Sequence, residues 1–132
     1  MRLPLPAWLV RFGCVSLIVG PLLACASEAI QPGVPRVIAG FAQTPFSIHE
    51  ECVEMRPGDR LEYTFEATMP LAFNIHYHEG KAVVMPISRD STRTEAGIYA
   101  PSIPQTYCLM WEAGREGNML DYRVRFLPVA TK

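Results

Sequence analysis

Past residue 26 the chain has no stretch of ten or more residues with apolar side chains at helical spacing, which excludes a helix bundle. Its longest apolar run, residues 14–24 (CVSLIVGPLLA), falls short of the ~20 residues that a membrane helix needs, and Pro21 interrupts it. No block of lysine and arginine is present. Nucleic acid, whose binding rests on clustered positive charge, is therefore not an expected partner. The Gly-x-Ser-x-Gly elbow of a serine hydrolase is missing, and Ser88, Ser91 and Thr92 belong to a polar stretch. Nothing marks two carboxylates as a converging acid–base pair. At strand spacing Glu50, Glu51, Glu54, Glu62 and Glu66 fall mostly on a solvent face. These absences point away from an enzyme, and no catalytic residue is expected.

What is present begins with a leader. Residues 1–13 hold Arg2 and Arg11 and no acid, the apolar run follows, and Ala24-Cys25-Ala26 supplies small residues. A basic start, an apolar middle and a small-x-small end make a secretory signal, so residues 1–26 are read as signal peptide. Cleavage after Ala26 gives a soluble product beginning at Ser27. Leu22-Leu23-Ala24-Cys25 also resembles a bacterial lipobox, in which Cys25 becomes the acylated first residue of a lipoprotein. Pro21 is atypical of such boxes. Both outcomes stay open, and the expected location is the periplasm or a membrane anchored through lipid on Cys25. Without the leader, ten basic residues face thirteen acids, a net charge of −3.

Export also sorts the cysteines. Cys14 lies in the leader, and Cys25 is either removed or acylated. Cys52 and Cys108 remain as an even pair in an oxidising compartment, where disulfides persist. A bridge between them closes a long loop, worth on the order of 4 kcal/mol by chain-entropy arithmetic. The other reading is two separate buried thiols.

Residues 27–45, rich in proline and glycine, read as a linker with an edge strand near residues 37–41. From residue 46 to 129 the pattern has period two, that of half-buried strands. A first strand carries Phe46 and Ile48, with Cys52 and Val53 toward its end. It closes at the Pro57-Gly58-Asp59 turn. Residues 61–67 alternate with Leu61, Tyr63 and Phe65 on one face, and Met69-Pro70 breaks the run. Residues 71–78 place Leu71, Phe73, Ile75 and Tyr77 on one side and Ala72, Asn74, His76 and His78 on the other. Residues 82–85, 106–111 and 120–126 supply further strands, whereas residues 87–95 read as exposed and 97–104 as irregular. About seven short strands make the expected fold all-β, a small antiparallel sandwich of jelly-roll-like character.

The stretch Glu51-Cys52-Val53-Glu54, then Pro57-Gly58, then Leu61-Glu62-Tyr63-Thr64-Phe65 resembles the opening of a GOLD (Golgi dynamics) domain. Tyr107-Cys108-Leu109-Met110-Trp111 is similar to that family's Tyr-x-x-Cys region, shortened by two residues. The resemblance spans residues 46–127. It implies a β-sandwich, a Cys52–Cys108 bridge, and a habit of binding proteins or lipids without catalysis. The family's cargo receptors continue into a coiled coil and a membrane span that residues 128–132 do not begin, and the leader reads as bacterial. The implied partner is a protein of the cell envelope, and cargo-receptor activity does not carry over.

The local feature with most chemistry is His76-Tyr77-His78-Glu79. Strand residues two apart share a face, so two imidazoles can converge on one ion. Imidazole suits zinc and copper. His49 lies on a first strand that is a candidate neighbour, and Glu79, Met85 or Met110 are candidates to complete a set. The competing reading makes Asn74, His76 and His78 a solvated polar face. Met55, Met69, Met85, Met110 and Met119 form no cluster and read as gap-fillers. Trp111, Tyr63 and Tyr107 read as core, while Tyr77, between two histidines, is a candidate for a recognition surface.

Overall fold

The computed structural model describes residues 28–130, so the leader and Cys25 lie outside the described residues. Six strands form: β1 (Arg36–Gln43), β2 (Ile48–Met55), β3 (Arg60–Glu79), β4 (Ala82–Tyr99), β5 (Gln105–Ala113) and β6 (Asn118–Leu127). They make one antiparallel sheet in the order β1-β6-β3-β5-β2, with β4 on the remaining side of β3. The described residues are all-β, as the period-two pattern requires.

Six strands replace the expected seven because the runs on either side of Met69-Pro70 are a single strand. Pro70 has no N–H to give a ladder, and the β3–β4 ladder shifts register across it, between Glu66 and Leu71. β3 pairs with β6 through Ala67 and with β5 from Leu71 onward, so Pro70 sits where one partner ends and the next begins. Residues 87–95, expected to be exposed, have no buried member and lie inside β4 opposite the same bend. Their polarity fits an edge strand. The edge strand expected near residues 37–41 within the 27–45 segment is β1, which is longer than expected and pairs with β6.

The bend at Pro70 curls the sheet so that its halves share a core. Alternation survives the bend: Leu61, Phe65, Leu71, Phe73 and Ile75 are all buried on the inner face. β5 and β6 are not laddered to each other, yet the rings of Trp111 and Tyr122 stack with centroids 4.8 Å apart. Phe73 lies 5.7 Å from Trp111 and 4.8 Å from Phe65. Trp111 is wholly buried. Each such side chain contributes roughly 1.5–3 kcal/mol by leaving water.

The expected first strand begins later, at Ile48, and its apolar start faces outward. Phe46 lies in the preceding turn at φ 58°, 68% exposed, and Ile48 also faces outward. The reason is the disulfide. Tyr107 and Leu109 fill the core from β5, which turns Cys108 outward, and Cys52 lies directly opposite it. The bridge Cys52–Cys108 is formed. With Cys52 outward, Glu51, Val53 and Met55 must point in.

Candidate functional site

The outer face of the β2–β5–β3 region carries a grid set by register. One row is Cys52, Cys108 and His76, and the row beside it is Glu50, Met110 and Asn74. Directly opposed residues of an antiparallel pair share a face, so all six project the same way. His78 follows His76 along β3, with ring centroids 5.3 Å apart. Opposite His76, β4 bulges: Ile75 pairs with Ile87 and Tyr77 with Val84, leaving Met85 and Pro86 against one residue.

His76 is not part of a solvated face. It is 4% exposed and Asn74 is 5% exposed. His76 Nδ1 lies 2.8 Å from Asn74 Oδ1, an acceptor, so Nδ1 carries the proton and donates. Its Nε2 then presents a lone pair, 3.8 Å from Glu50 Oε1. The imidazole is held below its ordinary pKa range, mainly by burial. His78 adds to the shift and Glu50 opposes it. The Glu50 carboxylate also lies beside the bridge, its oxygen and the two sulfurs all within 4.8 Å of one another.

His49 does not join this grid. It points to the opposite side of β2, where its Nε2 lies 2.9 Å from the Tyr122 hydroxyl and its ring 4.3 Å from that of Phe41. Of the three histidines, His76 and His78 come together and His49 stands apart. Tyr77, the aromatic singled out as a recognition candidate, turns inward and packs at 5.3 Å from Tyr107. Glu79 is exposed at the end of β3, and Met110 lies within the grid.

Around His49 is a polar cluster that the sequence reading missed. Glu51, assigned to a solvent face, is 3% exposed. Arg36 Nε donates to it over 2.5 Å, and the Tyr122 hydroxyl donates to the same oxygen. That commits the Tyr122 proton, so His49 Nε2–H donates to the Tyr122 oxygen. Burial pushes the Glu51 carboxyl up, but the nearby His49 and the hydrogen bonds from Tyr122 and Arg36 outweigh it and hold the pKa below the usual carboxylate range. The Tyr122 hydroxyl is driven above its ordinary range by burial and by Glu51. Because β1 and β2 are the two ends of the strand order, the Arg36–Glu51 pair clasps the curled sheet along its open seam. The available signal was parity: once Cys52 faces out, Glu51 faces in.

Two grooves of about 490 and 580 Å³ lie elsewhere, one across β1, β6, β3 and β4 and the other near the Pro57-Gly58 turn. Neither has a histidine or cysteine in its wall. The chemistry is concentrated on the grid.

No family model matches the chain, and no curated protein matches it. Among solved structures, a de novo designed double-stranded β-helix determined by solution NMR is similar at 17% identity, over 70% of this chain and 95% of the designed one, with a TM-score of 0.30.

Proposed function

We propose that this chain is a non-catalytic binding module of the bacterial envelope whose ligand is a copper or zinc ion held between His76 and Glu50, with His78, the next residue on that face of β3, turning in as a third ligand. One observation carries the reading. The Nδ1–H of His76 is committed to Asn74, so the lone pair of Nε2 and the carboxylate of Glu50 face each other over 3.8 Å. Two acceptors in that position need a group between them that serves both, a bridging water or a cation. Metal–ligand bonds of roughly 2.0–2.2 Å reach ligand atoms up to about 4 Å apart, so the gap suits a bound ion. Donors of this kind suit Cu(II) and Zn(II). Asn74 acts as the outer partner that orients a ligating imidazole.

The fold we assign is a GOLD-like sandwich. The Cys52–Cys108 bridge, the Pro57-Gly58 turn between β2 and β3, and the meeting of both halves in one core support it. The leader supports export, to the periplasm or to a lipid anchor at Cys25.

Isothermal titration of the oxidised protein with Cu(II) and with Zn(II) tests the reading. One ion per chain is expected, lost in the double variant His76→Ala, His78→Ala. Absence of tight binding, or binding that the double variant leaves unchanged, would overturn it.

A further inference from the structure

We infer that the Cys52–Cys108 bridge is a redox gate on this site: reduction turns its two sulfurs into ligands and converts a nitrogen–oxygen site into a thiolate site for a d¹⁰ cation, Zn(II) or Cu(I). The inference rests on the reading of His76 and Glu50 as ligands. The register carries it. Cys108 is directly opposite Cys52 on one side and His76 on the other, so the two sulfurs and the imidazole form one row across three strands. Glu50 brings its carboxylate within 4.8 Å of both sulfurs and its Oε1 to 3.8 Å from His76 Nε2. The two thiolates and the Glu50 carboxylate make three of the four ligands that a tetrahedral zinc site takes, and His76, whose Nε2 lies beside Glu50, is the fourth to be drawn in. Thiolate also selects Cu(I).

Access is built in unequally. Cys52 is exposed, whereas Cys108 is 8% exposed. A dithiol reductant therefore attacks Cys52 Sγ. The S–S bond breaks with its electron pair going to Cys108, and a mixed disulfide forms on Cys52. The donor's second thiol attacks its own sulfur in that mixed disulfide, frees Cys52 and leaves as an intramolecular disulfide. Two electrons and two protons pass from donor to protein. The ion then displaces the two thiol protons to solvent. While the bridge is closed neither sulfur is a thiolate, and only the nitrogen and oxygen ligands are on offer.

The test compares oxidised protein with protein reduced by a phosphine, both without oxygen, in competition with a chromophoric chelator for Zn(II) and for Cu(I). Reduced protein is expected to bind one ion more than about tenfold tighter than oxidised protein, a difference of about 1.4 kcal/mol. Cys52→Ser or Cys108→Ser should abolish the gain, and His76→Ala should diminish it. Equal affinity in the two redox states would overturn the gate and leave the oxidised-state reading standing. A gain that survives both His76→Ala and Glu50→Gln would also overturn it, because the sulfurs would then act without the site. Should reduction loosen the fold, Zn(II) is expected to restore the near-ultraviolet circular dichroism of the reduced wild type but not of the serine variants. A reduced chain that stays unfolded in Zn(II) would overturn the inference.

Discussion

Glu50 and Glu51 are consecutive, and each has a carboxylate oxygen within 4 Å of a histidine nitrogen: 3.8 Å to His76 and 3.7 Å to His49. Strand geometry sends them to opposite faces of β2. On the inner side Glu51 meets donors only: the guanidinium of Arg36, the hydroxyl of Tyr122 and, beside it, the Nε2–H of His49. On the outer side Glu50 meets an imidazole whose proton is committed elsewhere and a pair of sulfurs that carry none. A carboxylate surrounded by donors holds the fold together, whereas one surrounded by acceptors is, on the reading we propose, the one that takes a cation. Residue type does not separate the two roles. The protonation of the neighbours does.

The comparison is broken most severely by Glu51→Ala. It strands the Arg36 charge and the Tyr122 hydroxyl along the seam and should lower stability by about 3 kcal/mol in denaturant unfolding of the oxidised protein. Glu50→Ala, whose side chain is 41% exposed, should lower it by less than about 1 kcal/mol.

Acid should distinguish the pair next. Glu51 has a folded pKa below its ordinary value of 4.5, so the folded state binds fewer protons than the unfolded one in that range. The contribution of Glu51 is complete above about pH 4.5 and is lost as pH falls through the folded value. Glu51→Gln should flatten this limb of the stability–pH curve measured by denaturant titration, and Glu50→Gln should leave it in place.

The smallest effect sharpens the comparison from the outer side. Asn74→Ala frees the proton of His76 from Nδ1 and should weaken Zn(II) or Cu(II) binding by about 10–100-fold in titration calorimetry, with the His49 cluster untouched. A variant that binds as tightly as the parent would show that the tautomer of His76 is not what prepares Glu50 for a cation.

Much of the fold is legible in the sequence wherever one face is strictly apolar. β3, β5 and β6 bury Leu, Phe, Tyr and Trp at alternate positions, and their inward faces follow from that alone. β2 is not legible in this way. Its sequence IHEECVEM has two apolar residues at each parity, Ile48 and Cys52 against Val53 and Met55, so hydrophobicity does not fix its phase, and the bridge does. Phe46 and Ile48, read into the first strand for their apolarity, are both exposed, because a cross-strand covalent bond decides the phase. The misplacement of Glu51 and of His49 has the same cause. The pairing of His76 with His78 is legible because it depends on a single strand. Their approach to Glu50 is not, since it depends on which strand lies on each side of β5. Pro70 reads as a break because proline removes a ladder donor, and only the exchange of partners at Ala67 and Leu71 lets the strand run through it.

The strand order has a kinetic consequence. Of the five ladders, only β3–β4 joins strands that follow one another, around the tight turn at Gly80 and Lys81. The others pair distant segments, the most remote being β1 with β6, where Arg36 lies opposite Val124. Chain closure must therefore precede most of the stabilising contacts, which places folding in the slow range of roughly milliseconds to seconds typical of non-local β topologies. The β3–β4 hairpin is the natural early structure, and the row of Cys52, Cys108 and His76 comes into line only after β5 has docked on β3 and β2 on β5. Oxidation of the cysteine pair before that point would fix a loop around an unfinished sheet, so correct timing of the bridge depends on how fast the hairpin gathers its neighbours.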